Sequence, residues 1–250
     1  MKNITFECCC GSAADAIAAY QGGASRVELN SDLFHGGLTP TLGELLTVKK
    51  HCPDLKVLCM VRPREGGFCY TDVEYETILA DAKLFLDNGA DGIVFGFLHE
   101  DATVDVEHTK EILTVIGDKE SVFHRAIDVV PDWKTALDIL MDLGVTRVLS
   151  SGQKPTVPEG IFTLKEMIEY AAGRIQILPG AGITAENAPW VREMTGATQM
   201  HAAMHRTVYD RSTTGNPAIY FGGAVYPPED RYSVTHPDDI AAFVASVNRE

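Results

Sequence analysis

The sequence predicts an α/β fold, a single (β/α)8 TIM barrel that takes up residues 1–250. The first observation is a repeated joint, in which a helix-ending glycine is followed within two or three residues by a β-rich run. These joints begin at Gly23, Gly89, Gly144 and Gly196. Each interval between them fits two strand-helix units, and each contains a further strand-like run, at 56–61, 121–124 and 174–178.

The character of the strands is the second observation. The segments 56–61 and 92–95 are apolar on both faces, which is typical of parallel strands covered by helices on one side and packed side chains on the other. The segments 4–10 and 200–203 complete a set of eight. An open doubly wound sheet is the main alternative, but no Gly-x-Gly-x-x-Gly turn follows the first strand.

Helices are predicted between the strands from apolar periodicity and from residues that favour helix ends. The clearest are 72–88, 105–116, 132–143, 184–195 and 237–248. For the helix at 132–143, Pro131 is expected in the first turn. The segment of about 204–235 has weak periodicity and is predicted to be a long loop. Its aromatic residues, Tyr220, Phe221, Tyr226 and Tyr232, would either cover a site on the barrel or pack against a neighbouring subunit.

Composition limits the classes of function. The formal charge is -14 with a pI of about 4.9, which argues against a nucleic-acid partner but still allows a local anion site. The chain contains no apolar run of about 18 residues and starts with a strand-like segment. We therefore expect a soluble, cytoplasmic protein without a membrane span. Six cysteines in 250 residues are expected to be reduced thiols.

Ionisable side chains at the ends of the predicted strands indicate a functional site, because TIM barrels build their sites at the carboxyl ends of the strands. Clustered charges there are costly unless they pair or serve a ligand. The candidate catalytic residues are Glu7, Glu28, His124, Asp128 and His201, and the candidate substrate-binding residues are Arg62, Arg64, Arg125, Ser151, Gly180 and Gly182.

Roles follow from residue chemistry. Arg62 and Arg64 would bind a carboxylate or phosphate, and Glu7, Glu28 or His124 would transfer protons while Asp128 orients His124 or Arg125. The glycines of 179–183 would present backbone N–H groups to an anion at the start of a helix. This pattern favours an isomerase, epimerase or lyase acting on a small anionic substrate, by analogy with the fold.

The three adjacent cysteines, Cys8, Cys9 and Cys10, cannot chelate one metal together, because alternation along a strand points them to opposite faces. Cys9 shares a face with Glu7 and is the one candidate metal ligand. Cys8, Cys10, Cys52 and Cys59 are expected to be buried as small apolar residues. The pair His201 and His205 has helical spacing at a strand end and is not expected to bind a metal.

Several motifs, in collinear order over residues 4 to about 203, resemble those of the CutC family. They are Glu7-x-Cys9-x-x-Ser12, Gly36-Gly37-x-Thr39-Pro40, Arg62-Pro63-Arg64, Phe123-His124-Arg125-Ala126-x-Asp128, Leu149-x-Ser151-Gly152 and Pro179-Gly180-x-Gly182-Ile183.

This resemblance implies a cytoplasmic, homo-oligomeric barrel concerned with copper homeostasis. It also implies that copper(I) is bound by Cys9 and by a second cysteine that closes the second strand. Here the second position is Asn30, and an amide is a poor Cu(I) ligand. In addition, Glu65-Gly66-Gly67-Phe68 stands where the family typically has Gly-Gly-Asp-Phe.

Three functions therefore remain open from the sequence. One is a copper-binding protein with Cys9 as ligand, and the second is an enzyme for a small anionic substrate. The third is a scaffold barrel without turnover, which would be favoured if the loop after the eighth strand filled the mouth of the barrel.

Overall fold

The computed structural model of the chain describes residues 4–222 and 229–248. Its centre is a sheet of eight parallel strands in the order β7-β6-β5-β4-β3-β2-β1-β8. Their bounds are β1 Thr5–Cys10, β2 Arg26–Leu29, β3 Lys56–Met60, β4 Gly92–Phe95, β5 Glu120–Phe123, β6 Arg147–Ser150, β7 Gln176–Pro179 and β8 Gln199–Ala202. A parallel bridge between Gly180 and His201 joins the two end strands and closes the sheet into a ring.

A helix follows each strand of the ring, so the predicted (β/α)8 barrel is confirmed. The helices are α1 Ala13–Gln21, α2 Leu42–His51, α3 Asp72–Asp87, α4 Val106–Ile116, α5 Trp133–Asp142, α6 Val157–Ala171, α7 Ala188–Thr195 and α8 Pro237–Val247. Side chains cap most of their first turns. Thr41 and Thr71, for example, each form a capping box with the glutamate three residues later. None of the helices in the described part of the chain has the length and apolar character needed to cross a bilayer.

The strands separate two apolar regions. Outward-pointing residues of the ring, such as Cys8, Cys10 and Val57, pack against the helices in the main core. A smaller cluster fills the interior of the barrel and consists of Leu58, Met60, Val94, Val122, Leu149 and Leu178. Since alternate residues point to opposite faces of a strand, Glu7 and Cys9 belong to the interior. As expected, Cys52 and Cys59 are also buried.

Below the apolar interior cluster, charged and amide side chains at the amino ends of the strands form a polar layer. Arg26 donates to Glu7 Oε2 at 2.5 Å and to Gln199 Oε1 at 2.7 Å. Arg147 donates to Gln199 Oε1 at 2.9 Å and to Glu120 Oε2 at 2.8 Å. Burying such groups is tolerable because they pair with one another. This polar layer supports Glu7 from beneath.

Two predictions about helix starts are wrong, one for the first residue of α7 and one for the position of Pro131 relative to α5. Helix α7 begins at Ala188 and not at Thr184, because Thr184 N donates to Asn187 Oδ1 at 2.9 Å and forms a separate turn. The glycines of 179–183 therefore do not lead directly into a helix. Pro131 lies outside the first turn of α5, since Asp132 is the N-cap and accepts from Lys134 N at 2.9 Å.

The segment predicted as a long loop contains a hairpin. Strands β9 Arg206–Tyr209 and β10 Arg231–Val234 pair in antiparallel fashion, and every residue of β9 is exposed. Arg206 anchors the hairpin to α8 through two bonds of 2.6 Å to Asp239. Tyr220, Phe221 and Tyr232 are 52%, 81% and 55% exposed, whereas Tyr226 lies outside the described residues.

Candidate functional site at the mouth of the barrel

A cavity of about 400 Å³ opens at the carboxyl ends of the strands. One side carries Cys9, Glu28 and His201, and another carries Arg62, His124 and Arg125. Apolar wall is supplied by Met60, Phe68, Leu149 and Ile183. Within the described residues, the segment after Ala203 contributes nothing to the lining. The described part of that segment therefore does not line the mouth of the barrel.

Cys9, Glu28 and His201 form a compact cluster whose ligand atoms all lie within 4.8 Å of one another. The ring places them together because β1 lies between β2 and β8, with Cys9 opposite Glu28 and Glu7 opposite His201. Cys9 Sγ lies 3.8 Å from Glu28 Oε1. We call these three residues the mouth cluster.

Glu7 lies directly beneath the mouth cluster and is fully buried. Its Oε1 is 2.8 Å from His201 Nδ1, and its Oε2 accepts from Arg26. Burial alone would raise the pKa of Glu7, but Arg26, His201 and Arg147 lower it to about 2. Glu7 is therefore a permanent carboxylate that orients and charges His201.

The protonation of the mouth cluster follows from burial and from this carboxylate. Burial opposes the charged form of His201, but Glu28, Cys9 and Glu7 raise its pKa well above the usual value. Burial raises the pKa of the Cys9 thiol to about 11 and also raises the pKa of Glu28. Near neutral pH the cluster thus combines an imidazolium with a thiol, and both protons must leave if these side chains are to bind a metal.

Asn30 contacts the mouth cluster from the end of β2. Its Nδ2 donates to Glu28 Oε1 at 3.0 Å and lies 3.7 Å from Cys9 Sγ. Asn30 Oδ1 and Glu28 Oε2 are buried without a hydrogen-bond partner among the described residues. The residue at the second thiol position therefore donates to Glu28 and contacts the Cys9 thiol, and Glu28 Oε2 remains unsatisfied.

His124 follows β5 and is 4% exposed. Its Nδ1 accepts from Ala126 N at 3.1 Å, so the neutral ring carries its proton on Nε2. Burial and the nearby Arg62 lower its pKa to about 3. Room for this ring depends on Gly96, because a Cβ there would lie 2.4 Å from His124 Cε1.

Arg62 follows β3 and is 7% exposed. Its terminal nitrogens donate to the carbonyls of His35 and Gly37 at 3.1 Å and of Gly66 at 2.8 Å. Its Nε has no partner within the described residues. The guanidinium is therefore fixed by three loop carbonyls, and one buried N–H remains for another group.

The other predicted site residues lie at the rim or outside the cavity. Arg64 is paired with Glu74 at the start of α3, so it does not join Arg62 at the mouth. Asp128 accepts from Arg125 Nε at 2.8 Å and from Ser151 N at 3.0 Å. This pairing orients Arg125, one of the two roles predicted for Asp128.

Gly180 and Gly182, the two glycines among the predicted site residues, lie where a larger residue would clash or strain the backbone. A Cβ on Gly180 would lie 2.5 Å from Leu149 Cδ1. Gly182 lines the cavity with a positive φ of 72°, a backbone conformation that favours glycine.

Sequence reasoning missed two groups of residues. Phe68 and Met60 line the cavity although neither has a chemical signature of a site. Only the position of Phe68 shortly after the Arg62-Pro63-Arg64 motif could have suggested it. Arg26 and Arg147 were missed because charged residues at the start of a strand normally reach solvent. Their burial to 5% and 2% exposure comes from the closure of the ring.

The fold and the site define a TIM-barrel protein with a thiol, an imidazole and a carboxylate gathered at the mouth of the barrel. The chain matches the CutC family over residues 4–206 and belongs to that family. It is 52% identical to a CutC family protein of Treponema denticola over 99% of this chain and 100% of that protein. It is 39% identical to the human copper homeostasis protein cutC homolog, over 94% of this chain and 85% of the human protein.

Solved structures agree with the fold. The crystal structure of CutC from Streptococcus agalactiae superposes with a TM-score of 0.76 at 34% identity, covering 80% of this chain and 98% of that one. KGPDC from Streptococcus mutans superposes with a TM-score of 0.60 at 13% identity, covering 99% of both chains. The second likeness concerns the barrel alone.

Proposed function

We propose that this chain functions in copper homeostasis by binding a copper ion at the mouth cluster. The observation that carries the proposal is the approach of the ligand atoms of Cys9, Glu28 and His201 to within 4.8 Å of one another on the wall of an open cavity. Family membership supports copper as the metal, since the human relative is named a copper homeostasis protein.

The donor set fits copper(I) in part. Thiolate is the ligand that a soft ion such as Cu(I) selects, and imidazole also suits copper. Glu28 is a harder donor, but its unpartnered and buried Oε2 is a group that a nearby cation would satisfy. Asn30 supplies no thiolate, so Cys9 and His201 would provide most of the affinity.

Copper would compete with protons at both of these ligands. The Cys9 thiol has a pKa of about 11 and the pKa of His201 is raised, so binding releases protons and strengthens as pH rises. A free thiol ligand also requires a reducing compartment, in agreement with the cytoplasmic location expected from the sequence.

The test is an anaerobic Cu(I) titration against a chromophoric chelator. Cys9→Ser is expected to weaken Cu(I) binding by about 100-fold, because the softest ligand is lost. Cys69→Ser is the matched control, since Cys69 is an exposed cysteine outside the cavity. Equal affinity in Cys9→Ser and the wild type would refute the copper site.

We also propose that two copies of the chain associate through the hairpin of β9 and β10. An isolated two-stranded hairpin is marginally stable in water, and this one displays Val208, Tyr209 and Tyr232 to solvent. The exposed Tyr220 and Phe221 extend the apolar surface beside it. The isomerase, epimerase or lyase activity considered from the sequence stays a prediction.

A further inference from the structure

We infer that the mouth of the barrel binds a small organic monocarboxylate, with its carboxylate at Arg62 and His124 and its carbon body against Phe68, Met60, Leu149 and Ile183. This site is separate from the copper proposal, because neither Arg62 nor His124 belongs to the mouth cluster.

Two buried donors without partners are the main observation. Arg62 Nε and His124 Nε2 have no hydrogen-bond partner within residues 4–222 and 229–248, although their residues are only 7% and 4% exposed. The Tyr70 hydroxyl, also buried without a hydrogen bond in that part of the chain, lies close enough to Arg62 to interact with it electrostatically. A buried donor left unpaired is destabilising, and proteins rarely retain one without a ligand or a functional reason. Both residues line the same cavity.

The two donors belong to one local group, because both side chains pack on Phe68. The Arg62 guanidinium carbon lies 5.4 Å from the centroid of the Phe68 ring, and the His124 ring centroid lies 4.7 Å from it. Ala126 N occupies His124 Nδ1, so Nε2 is the donor of the neutral ring. Arg62 cannot turn away, because three carbonyls hold its terminal nitrogens.

The number of donors and charges indicates a monocarboxylate in preference to a phosphate. One N–H from Arg62 and one from His124 match the two oxygens of a carboxylate. Arg62 brings one positive charge and His124 is neutral, while Arg125 is already engaged with Asp128 and Ser151. The positive charge of His201 is already paired with the buried Glu7 carboxylate. A phosphate dianion would need more donors and more positive charge than Arg62 and His124 supply.

The rest of the cavity suits an apolar or weakly polar body. Met60, Leu149 and Ile183 are each less than 5% exposed, and Phe68 lies beside the two donors. A volume of about 400 Å³ is at the lower end of the range for small-molecule sites. A compact organic acid fits this arrangement better than a nucleotide or a polymer.

Phenylacetate is a suitable probe, and phenylacetamide is its uncharged counterpart. Isothermal titration should give saturable binding of phenylacetate in the millimolar range or tighter, weaker binding of phenylacetamide, and no displacement by equimolar inorganic phosphate. In the wild-type protein, phenylacetate should also shift the ¹⁵N resonance of His124 Nε2. Absence of saturable binding, absence of that shift, or displacement by phosphate would overturn the inference.

Variants locate the site. His124→Phe keeps a ring but removes the Nε2 donor, and Arg62→Lys keeps the charge but removes the Nε donor. Each is expected to raise the Kd for phenylacetate at least about tenfold, whereas Arg64→Lys should leave it unchanged because Arg64 does not line the cavity. Unchanged affinity in folded His124→Phe and Arg62→Lys would refute the assignment. If either variant fails to fold, the wild-type ¹⁵N shift decides.

The copper proposal and this one can fail separately. Cys9→Ser, which is expected to lose Cu(I), should still bind phenylacetate, and His124→Phe should still bind Cu(I). Loss of both ligands in either variant would mean that the two sites are one, which contradicts the inference.

Discussion

At the scale of single residues, Glu7 connects the two ends of the barrel interior. It accepts from Arg26 in the polar layer and pairs with His201 in the mouth cluster. The protonation state of His201 at the mouth therefore depends on a carboxylate that does not itself line the cavity.

Glu7→Gln should show this dependence. Removing the charge leaves Arg26 buried without its ion-pair partner and is expected to cost about 3 kcal/mol of unfolding free energy, measured by urea denaturation. The pKa of His201, followed by NMR, should fall at the same time. Glu74→Gln is the control, because its pair with Arg64 is partly exposed and such pairs contribute less than about 1 kcal/mol. Similar losses in both variants would contradict the role given to Glu7.

His124 should make the stability of the protein sensitive to pH. Its folded pKa of about 3 lies below the unfolded value of about 6.5, so only the unfolded chain takes up a proton between these limits. The stabilisation from the neutral ring is complete above pH 6.5 and is lost as pH falls toward 3. The slope approaches about 1.4 kcal/mol per pH unit.

The comparison of wild type with His124→Gln isolates this contribution. Between pH 6 and 5 the unfolding free energy should fall less steeply with pH in the variant than in the wild type, by a slope that corresponds to about one proton. Urea titrations at each pH measure this slope. Parallel curves for the two proteins would show that folding does not lower the pKa of His124.

At the scale of elements, close packing of neighbouring strand ends positions the site. Gly96 follows β4 and leaves room for the His124 ring that follows β5. Gly96→Ala is expected to destabilise the fold by about 1–3 kcal/mol through overpacking, measured by thermal or urea unfolding. Gly67→Ala is the matched control, because nothing lies within 4 Å of a Cβ there. Equal unfolding midpoints for the two variants would mean that the His124 ring can move aside.

The elements also explain which site residues could be predicted. Cys9, Glu28 and His201 could be placed from the sequence because the period of a strand and its position in a parallel ring determine where an inward side chain points. Arg64 could not, since it lies beyond the strand end, where its direction depends on the cap of α3 and its pairing with Glu74. The first residue of α7 was predicted wrongly for a similar reason, because the local turn from Thr184 to Asn187 determines where the helix begins.

At the scale of the whole molecule, the barrel could be predicted because its signals are local and repeated along the chain. The polar layer could not, since the burial of Arg26 and Arg147 follows from ring closure and not from the residues around them. The hairpin of β9 and β10 was missed because its strands have no buried face, and without one the sequence has no reason to alternate apolar and polar residues.

Self-association should depend on the exposed aromatic residues of the hairpin segment. Tyr232→Ser combined with Phe221→Ser is expected to shift light-scattering mass toward the monomer, with a dissociation constant raised by about tenfold or more. Phe162→Ser is the control, since Phe162 is 70% exposed on α6, in a different part of the chain. An unchanged mass distribution in the double variant would exclude the hairpin as the contact.

The same hairpin has exposed strand edges at which further chains could add and form aggregates. Each of its strands pairs with one neighbour among the described residues, so each has an outer edge whose backbone groups could template a further strand. Short length and a basic residue on each strand, Arg206 and Arg231, limit this tendency. Replacing these arginines with apolar residues is expected to favour strand addition at the exposed edges and so promote fibril formation.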